Sequence, residues 1–147
     1  MSPQRPYIPE HVRQQVWDDA HDRCGYCLTP RRFTAKRLHV EHITPIAAGG
    51  SSSVDNLWLA CDLCNSYKGA HTHATDPLTE QVTPLFNPRQ QDWFRHFAWG
   101  TDGLYVFGLT PVGRATVVAL QLNNPFLVEA RRWWVEAGWH PPTPEAL

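Results

Sequence analysis

The chain has no long apolar run and no excess of charge of either sign. Its 13 Lys and Arg stand against 14 Asp and Glu, for a formal net charge of −1. Such a balance counts against the broad basic surface that many nucleic-acid binders carry, so any contact with phosphate has to come from a local patch. No stretch approaches the roughly 18 apolar residues of a membrane helix, which excludes a helical membrane span. Residues 1–9 are polar and Pro-rich. Without an apolar h-region they do not read as a secretory signal, and the expected location is cytosolic. There is no internal repeat. Cysteine occurs only four times, and in a reducing compartment four cysteines more often bind metal than pair as disulfides.

What is present is the material for one folded unit. At 147 residues, with 42% hydrophobic content, seven Trp and six Phe, the chain can bury a sizeable core. Residues 9–23 predict a helix, with Val12, Val16, Trp17 and Ala20 on one stripe. Residues 38–43 form a short β-type run that Pro45 stops, and 57–60 form a second. Between them, Gly49-Gly50-Ser51-Ser52-Ser53 reads as a flexible loop. Residues 61–69 read as a turn entering a helix. Farther on, 93–99 and 104–109 flank Asp102-Gly103 as a hairpin. Thr110-Pro111 and Asn124-Pro125 start two helices, the second ended by Gly138. The expectation is a single α+β domain over 1–147, with a core at 9–75 and a C-terminal extension at 76–147 packed on it.

The cysteines fall in two pairs, C-G-Y-C at Cys24 and Cys27 and C-D-L-C at Cys61 and Cys64. A redox pair of the thioredoxin type would follow a buried strand and open a helix. Cys24 instead follows Asp18, Asp19, His21, Asp22 and Arg23, the polar end of a helix. Two C-x2-C knuckles suit one tetrahedral four-thiolate site, so a single structural Zn²⁺ is expected.

Between and after the knuckles stand V-E-H-I-T-P (40–45), D-N-L (55–57) and C-N-S-Y-K-G (64–69). With the knuckles, this stretch resembles the HNH endonucleases, whose fold is a ββα-metal core. Four tail stretches, L-F-N-P-R (85–89), H-F-A-W (96–99), G-L-T-P-V-G-R-A-T (108–116) and A-R-R-W-W-V-E-A-G-W-H-P-P (130–142), are similar to short stand-alone bacterial proteins of that type. The resemblance implies hydrolysis of phosphodiester bonds in nucleic acid, most simply DNA, by in-line attack of water that leaves a 5′-phosphate.

His42 would be the general base, since an imidazole titrates near neutral pH. Glu41 and Asn65 would hold one divalent cation; oxygen donors suit Mg²⁺ or Mn²⁺. Asn56 would tie the long loop to the hairpin, and Lys68 would contact a phosphate. Strand alternation sets Glu41 and His42 on opposite faces unless the strand ends there. His39 is a minor candidate for the metal shell. Arg31, Arg32, Lys36 and Arg37 form the one dense basic patch, either a solvated loop or a phosphate contact. Arg89, Arg95, Arg114, Arg131 and Arg132 are phosphate contacts or structural ion pairs. His71 and His73 read as loop residues, and Trp133 and Trp134 as core. The alternative to an enzyme is a zinc-stapled module that binds nucleic acid or protein.

Overall fold

The structure, a computed structural model, describes residues 6–147, so the reading of the polar start over residues 1–5 lies outside the described residues. Helix α1 (Glu10–Asp19) carries Val16 and Ala20 into the core, with Val12 and Trp17 partly packed beside them. It stops earlier than the apolar stripe suggested. His21 and Asp22 take left-handed backbone, with φ of 52° and 57°, a region that Asp and His tolerate better than most residues. This turn aims the chain into the first knuckle, where Arg23 bridges to Pro30.

Strands β1 (His39–His42) and β2 (Leu57–Ala60) pair antiparallel, with His42 opposite Leu57 and Glu41 opposite Trp58. Helix α2 (Asp62–Lys68) follows directly, giving the expected order of strand, loop, strand and helix. Leu57 and Leu59 point into the core. The long loop between the strands is not slack. Asn56 Nδ2 donates to the carbonyls of Thr44 (2.9 Å) and Ser51 (2.7 Å), and its Oδ1 accepts from the Thr44 amide at 2.9 Å. Gly50 is packed so closely that a Cβ there would lie 1.8 Å from the Thr44 carbonyl oxygen. The flexible-loop expectation for 49–53 is corrected on this ground.

A hairpin that the sequence did not announce follows, β3 (His73–Thr75) with β4 (Val82–Pro84). Its turn is organised by buried Asp76, which accepts two 2.9 Å hydrogen bonds from the Arg114 guanidinium. That pairing holds the Asp76 carboxyl well below the usual range. His73 thus lies on a strand, and Arg114 is a structural ion-pair partner. Residues 93–96, expected as strand, form the short helix α3 (Trp93–His96), because the Asp92 side chain accepts from the Phe94 amide and caps it. Strands β5 (Phe97–Trp99) and β6 (Val106–Gly108) make the predicted hairpin. Helices α4 (Pro111–Ala119) and α5 (Pro125–Glu136) begin at Thr110 and Asn124, whose side chains accept from Gly113 and Leu127.

One apolar cluster takes residues from α1, both knuckles, β2, Trp93, Phe97, Leu120, Leu122 and Leu127. Core and extension therefore share a hydrophobic interior. Trp134 packs against it, while Trp133 is 63% exposed, correcting the expectation that both are buried. Among the described residues, no helix is long and apolar enough to cross a membrane.

His140 sits edge-on to Trp99 at 4.3 Å and donates from Nε2 to the Gly103 carbonyl at 3.0 Å. Burial, then the Arg131 charge, pushes its pKa down to about 4. An unfolded chain takes up the same proton near pH 6.5. The unfolded state therefore binds more protons between those values, and stability falls as pH drops through that window. His140→Gln is expected to lose less stability than the wild type between about pH 7 and about pH 5. Urea unfolding at the two pH values measures this, and parallel losses would remove His140 from the account.

Candidate active site

Cys24, Cys27, Cys61 and Cys64 are all buried as free thiols, with ligand atoms within 4.8 Å of one another. Cys27 Sγ and Cys61 Sγ are 3.7 Å apart. A tetrahedral ion with Zn–S bonds of about 2.3 Å sets its sulfurs about 3.8 Å apart, so the donor set and the spacing fit zinc. The first knuckle is held by amide bonds from Cys24 to Thr29 (3.0 Å) and from Gly25 to Leu59 (2.9 Å). A Cβ on Gly25 would meet the Trp58 ring at 2.3 Å, so this position requires glycine. In the second knuckle, Cys61 Sγ accepts from the Cys64 amide and caps α2. Burial raises the Cys24 thiol well above its ordinary value, and a bound dication reverses that by taking the thiolate.

β1 and α2 then bring the reactive side chains together. β1 ends at His42, and Glu41, His42 and Asn65 all line one cleft of about 810 Å³. The conflict with strict alternation disappears because the strand stops there. His42 Nε2 lies 3.0 Å from Ser52 Oγ. Partial burial, then the charge of Lys68, lowers the His42 pKa, so its imidazole is uncharged at neutral pH.

Glu41 is buried, with Oε1 2.7 Å from Lys68 Nζ and within 3.4 Å of the Tyr26 hydroxyl, which donates to it. Its Oε2 is buried without a hydrogen-bond partner. Burial raises the Glu41 pKa, against the pull of Lys68 and Tyr26. Glu41, with one oxygen unpartnered, and Asn65 line the same cleft, and a carboxylate with an amide oxygen is a donor pair that fits a hard divalent cation.

Other residues fall where the sequence did not put them. The Lys68 side chain is only 2% exposed and bonds to Glu41 and to the His42 carbonyl oxygen, so it is no open phosphate contact. His39 pairs with Asp62, not with the cleft's donor pair. Lys36 also pairs with Asp62, at 2.8 Å, and Arg32 lies over the Phe33 ring. Of the basic patch, Arg31 and Arg37 reach the cleft, joined by Arg13 from α1. Arg89 is structural: it bonds to Asp19 and the Leu57 carbonyl and covers Trp58. Sequence reasoning missed Ser52, Arg13 and Tyr26. Only Tyr26 had a signal, its place inside a knuckle.

The sequence of this ββα unit and its two cysteine knuckles matches a known family. Residues 24–71 match the HNH endonuclease family. No curated protein and no solved structure matches the chain. The HNH match begins at the first knuckle cysteine and ends just beyond α2, so it contains the four cysteines, His42, Asn56 and Asn65. The HNH family is one of endonucleases, and the match covers residues 24–71 of the 147.

Asn56→Ala removes three hydrogen bonds that close the HNH loop. At about 1 kcal/mol each, reduced by partial exposure, the loss of stability should be about 2 kcal/mol. Urea denaturation of the full chain measures it. A loss below about 0.5 kcal/mol would mean that the backbone contacts alone hold the loop.

Proposed function

We propose that the chain is a metal-dependent endonuclease that hydrolyses phosphodiester bonds in DNA, with one structural Zn²⁺ on its four cysteines. The observation that carries this reading is that His42, Glu41 and Asn65 line a single cleft, with Glu41 Oε2 left without a hydrogen-bond partner. Mg²⁺ or Mn²⁺ held by Glu41 and Asn65 would supply charge neutralisation at the scissile phosphate and its leaving oxygen.

The remaining work falls to the chain's own groups. In the tautomer that donates Nε2–H to Ser52, the His42 ring presents Nδ1 as the acceptor of a proton from the attacking water. Ser52 fixes the ring, and Asn56 fixes the loop that carries Ser52. Arg13, Arg31 and Arg37 line the cleft beside Glu10 and Asp22 and would be its contacts to the nucleic-acid backbone.

A second reading has its own observation. The Lys68 ammonium already occupies one oxygen of Glu41 at 2.7 Å, which favours a zinc-stapled binding module in which that internal cation stays in place.

Plasmid nicking separates the two. Wild type holding about one zinc per chain is expected to cut with Mg²⁺ or Mn²⁺ and not without, and His42→Ala to lose at least about 100-fold in rate. Glu41→Gln should need more divalent ion to reach its own maximum. Folded, zinc-loaded wild type that binds DNA and never cuts would favour the binding module.

Binding to a short duplex by His42→Ala tests these three arginines. Three phosphate contacts predict a log–log salt slope of about −2.7, and Arg13→Ala should flatten it by about one unit. A slope near zero would contradict a local electrostatic contact.

A further inference from the structure

Arg131 lies on the inward side of α5 and is fully buried. Its Nη1 donates to the Leu104 carbonyl at 2.9 Å, and its guanidinium carbon lies 5.0 Å from the Trp99 ring centroid. Nε and Nη2 are buried without a hydrogen-bond partner. Among the described residues, no carboxylate forms an ion pair with it.

A cation so placed is costly unless a negative charge offsets it. The packing shows where that charge lies. Trp99 stacks on Trp93 at 5.4 Å, and Trp93 Nε1 donates at 2.9 Å to the carbonyl of Tyr26, inside the first knuckle. Burial pushes the Arg131 pKa down, and the groups whose negative charge opposes that are Cys27, Cys64 and Cys61. Four thiolates around one Zn²⁺ leave two excess negative charges in a site from which water is excluded. The unpaired cation and the over-charged metal site are thus each other's remedy.

We propose that Arg131 is the internal counter-cation of the four-cysteine centre, and that the C-terminal helix thereby governs how firmly the knuckles hold their metal. The proposal rests on the reading of the cysteines as a zinc site and is independent of nuclease activity. Arg131 is a positioning residue acting on charge: its neighbours are the Leu104 carbonyl and the Trp99 ring. Its effect is confined to the metal centre, so exposed Arg132 on the same helix should be indifferent.

The test follows zinc release from the full-length, zinc-loaded chain to an excess of chelator, with the Co²⁺-substituted form as a spectroscopic readout. Arg131→Met keeps an apolar stem of similar length and removes the charge. It should release zinc about 10- to 100-fold faster and shift the thiolate-to-Co²⁺ charge-transfer band. Arg131→Lys should restore most of both, and Arg132→Gln should match wild type. Release from Arg131→Met at the wild-type rate with an unshifted band would overturn the proposal. So would a Lys variant that fails as fully as the Met variant, because that pattern marks a packing role. Should Arg131→Met not fold, the Lys variant decides alone: metal held at near wild-type rate supports the counter-cation, and rapid release overturns it.

Discussion

Four thiols brought from positions 34 residues apart into one buried tetrahedron are the constraint on which the remaining structure depends. Without a cation, burial and their mutual proximity work against ionising all four thiols, and nothing draws them together. With a dication, the same proximity becomes a cross-link. Each knuckle then fixes what lies beside it. The first sets the reversal after α1 and, through the Gly25 amide on Leu59, the position of β2. The second caps α2 through Cys61 Sγ. α2 in turn presents Asn65 to the cleft and Lys68 to Glu41. The geometry of the cleft is therefore inherited from the metal centre behind it.

The cleft itself holds opposed demands. Glu41 must stay ionised to be a ligand, and burial works against that. Lys68 and the Tyr26 hydroxyl sustain the charge, but the ammonium also occupies an oxygen that a cation would use. Asn65 adds a donor without adding charge. A site with one carboxylate, already shared with an internal cation, has little net charge with which to strip water from a small ion. Under the proposed function, such a site suits a weakly held, water-rich Mg²⁺ or Mn²⁺ completed by the phosphate itself. The uncharged state of His42 belongs to the same design: the Lys68 charge that supports Glu41 also discourages protonation of the imidazole.

The central ββα unit was legible in the sequence because each signal there is local. Pro45 ends the first apolar run, residues 57–60 form the second to the residue, and C-x2-C spacing names its own geometry. What was illegible depends on partners distant in sequence or on exposed polar chain. The β3–β4 hairpin consists mostly of exposed residues, and its turn is organised by Asp76 with Arg114, 38 positions away. The helix at 93–96 replaces strand because one cap at Asp92 outweighs the β-propensity of Trp and Phe. At the site, His42, Asn56 and the cysteines stood out by pattern. Ser52 was hidden within a serine run that composition alone reads as slack. Lys36 read as a free cation, because nothing in its neighbourhood announces a pairing with Asp62.

The C-terminal half answers a problem of size. Residues 24–71 are too few to bury a large core, and two of their strands have only four residues each. A metal held by four thiolates would supply part of the missing stability but leave net negative charge in the interior. The extension supplies both remaining needs from one direction. Trp93, Phe97, Leu120, Leu122 and Leu127 enlarge the apolar cluster around the knuckles, while Arg131 brings a positive charge within range of their sulfurs. Apolar cover alone would leave the charge of the tetrathiolate unanswered, and a surface lysine would answer it only through screened solvent. A buried guanidinium over the Trp99 ring meets both conditions.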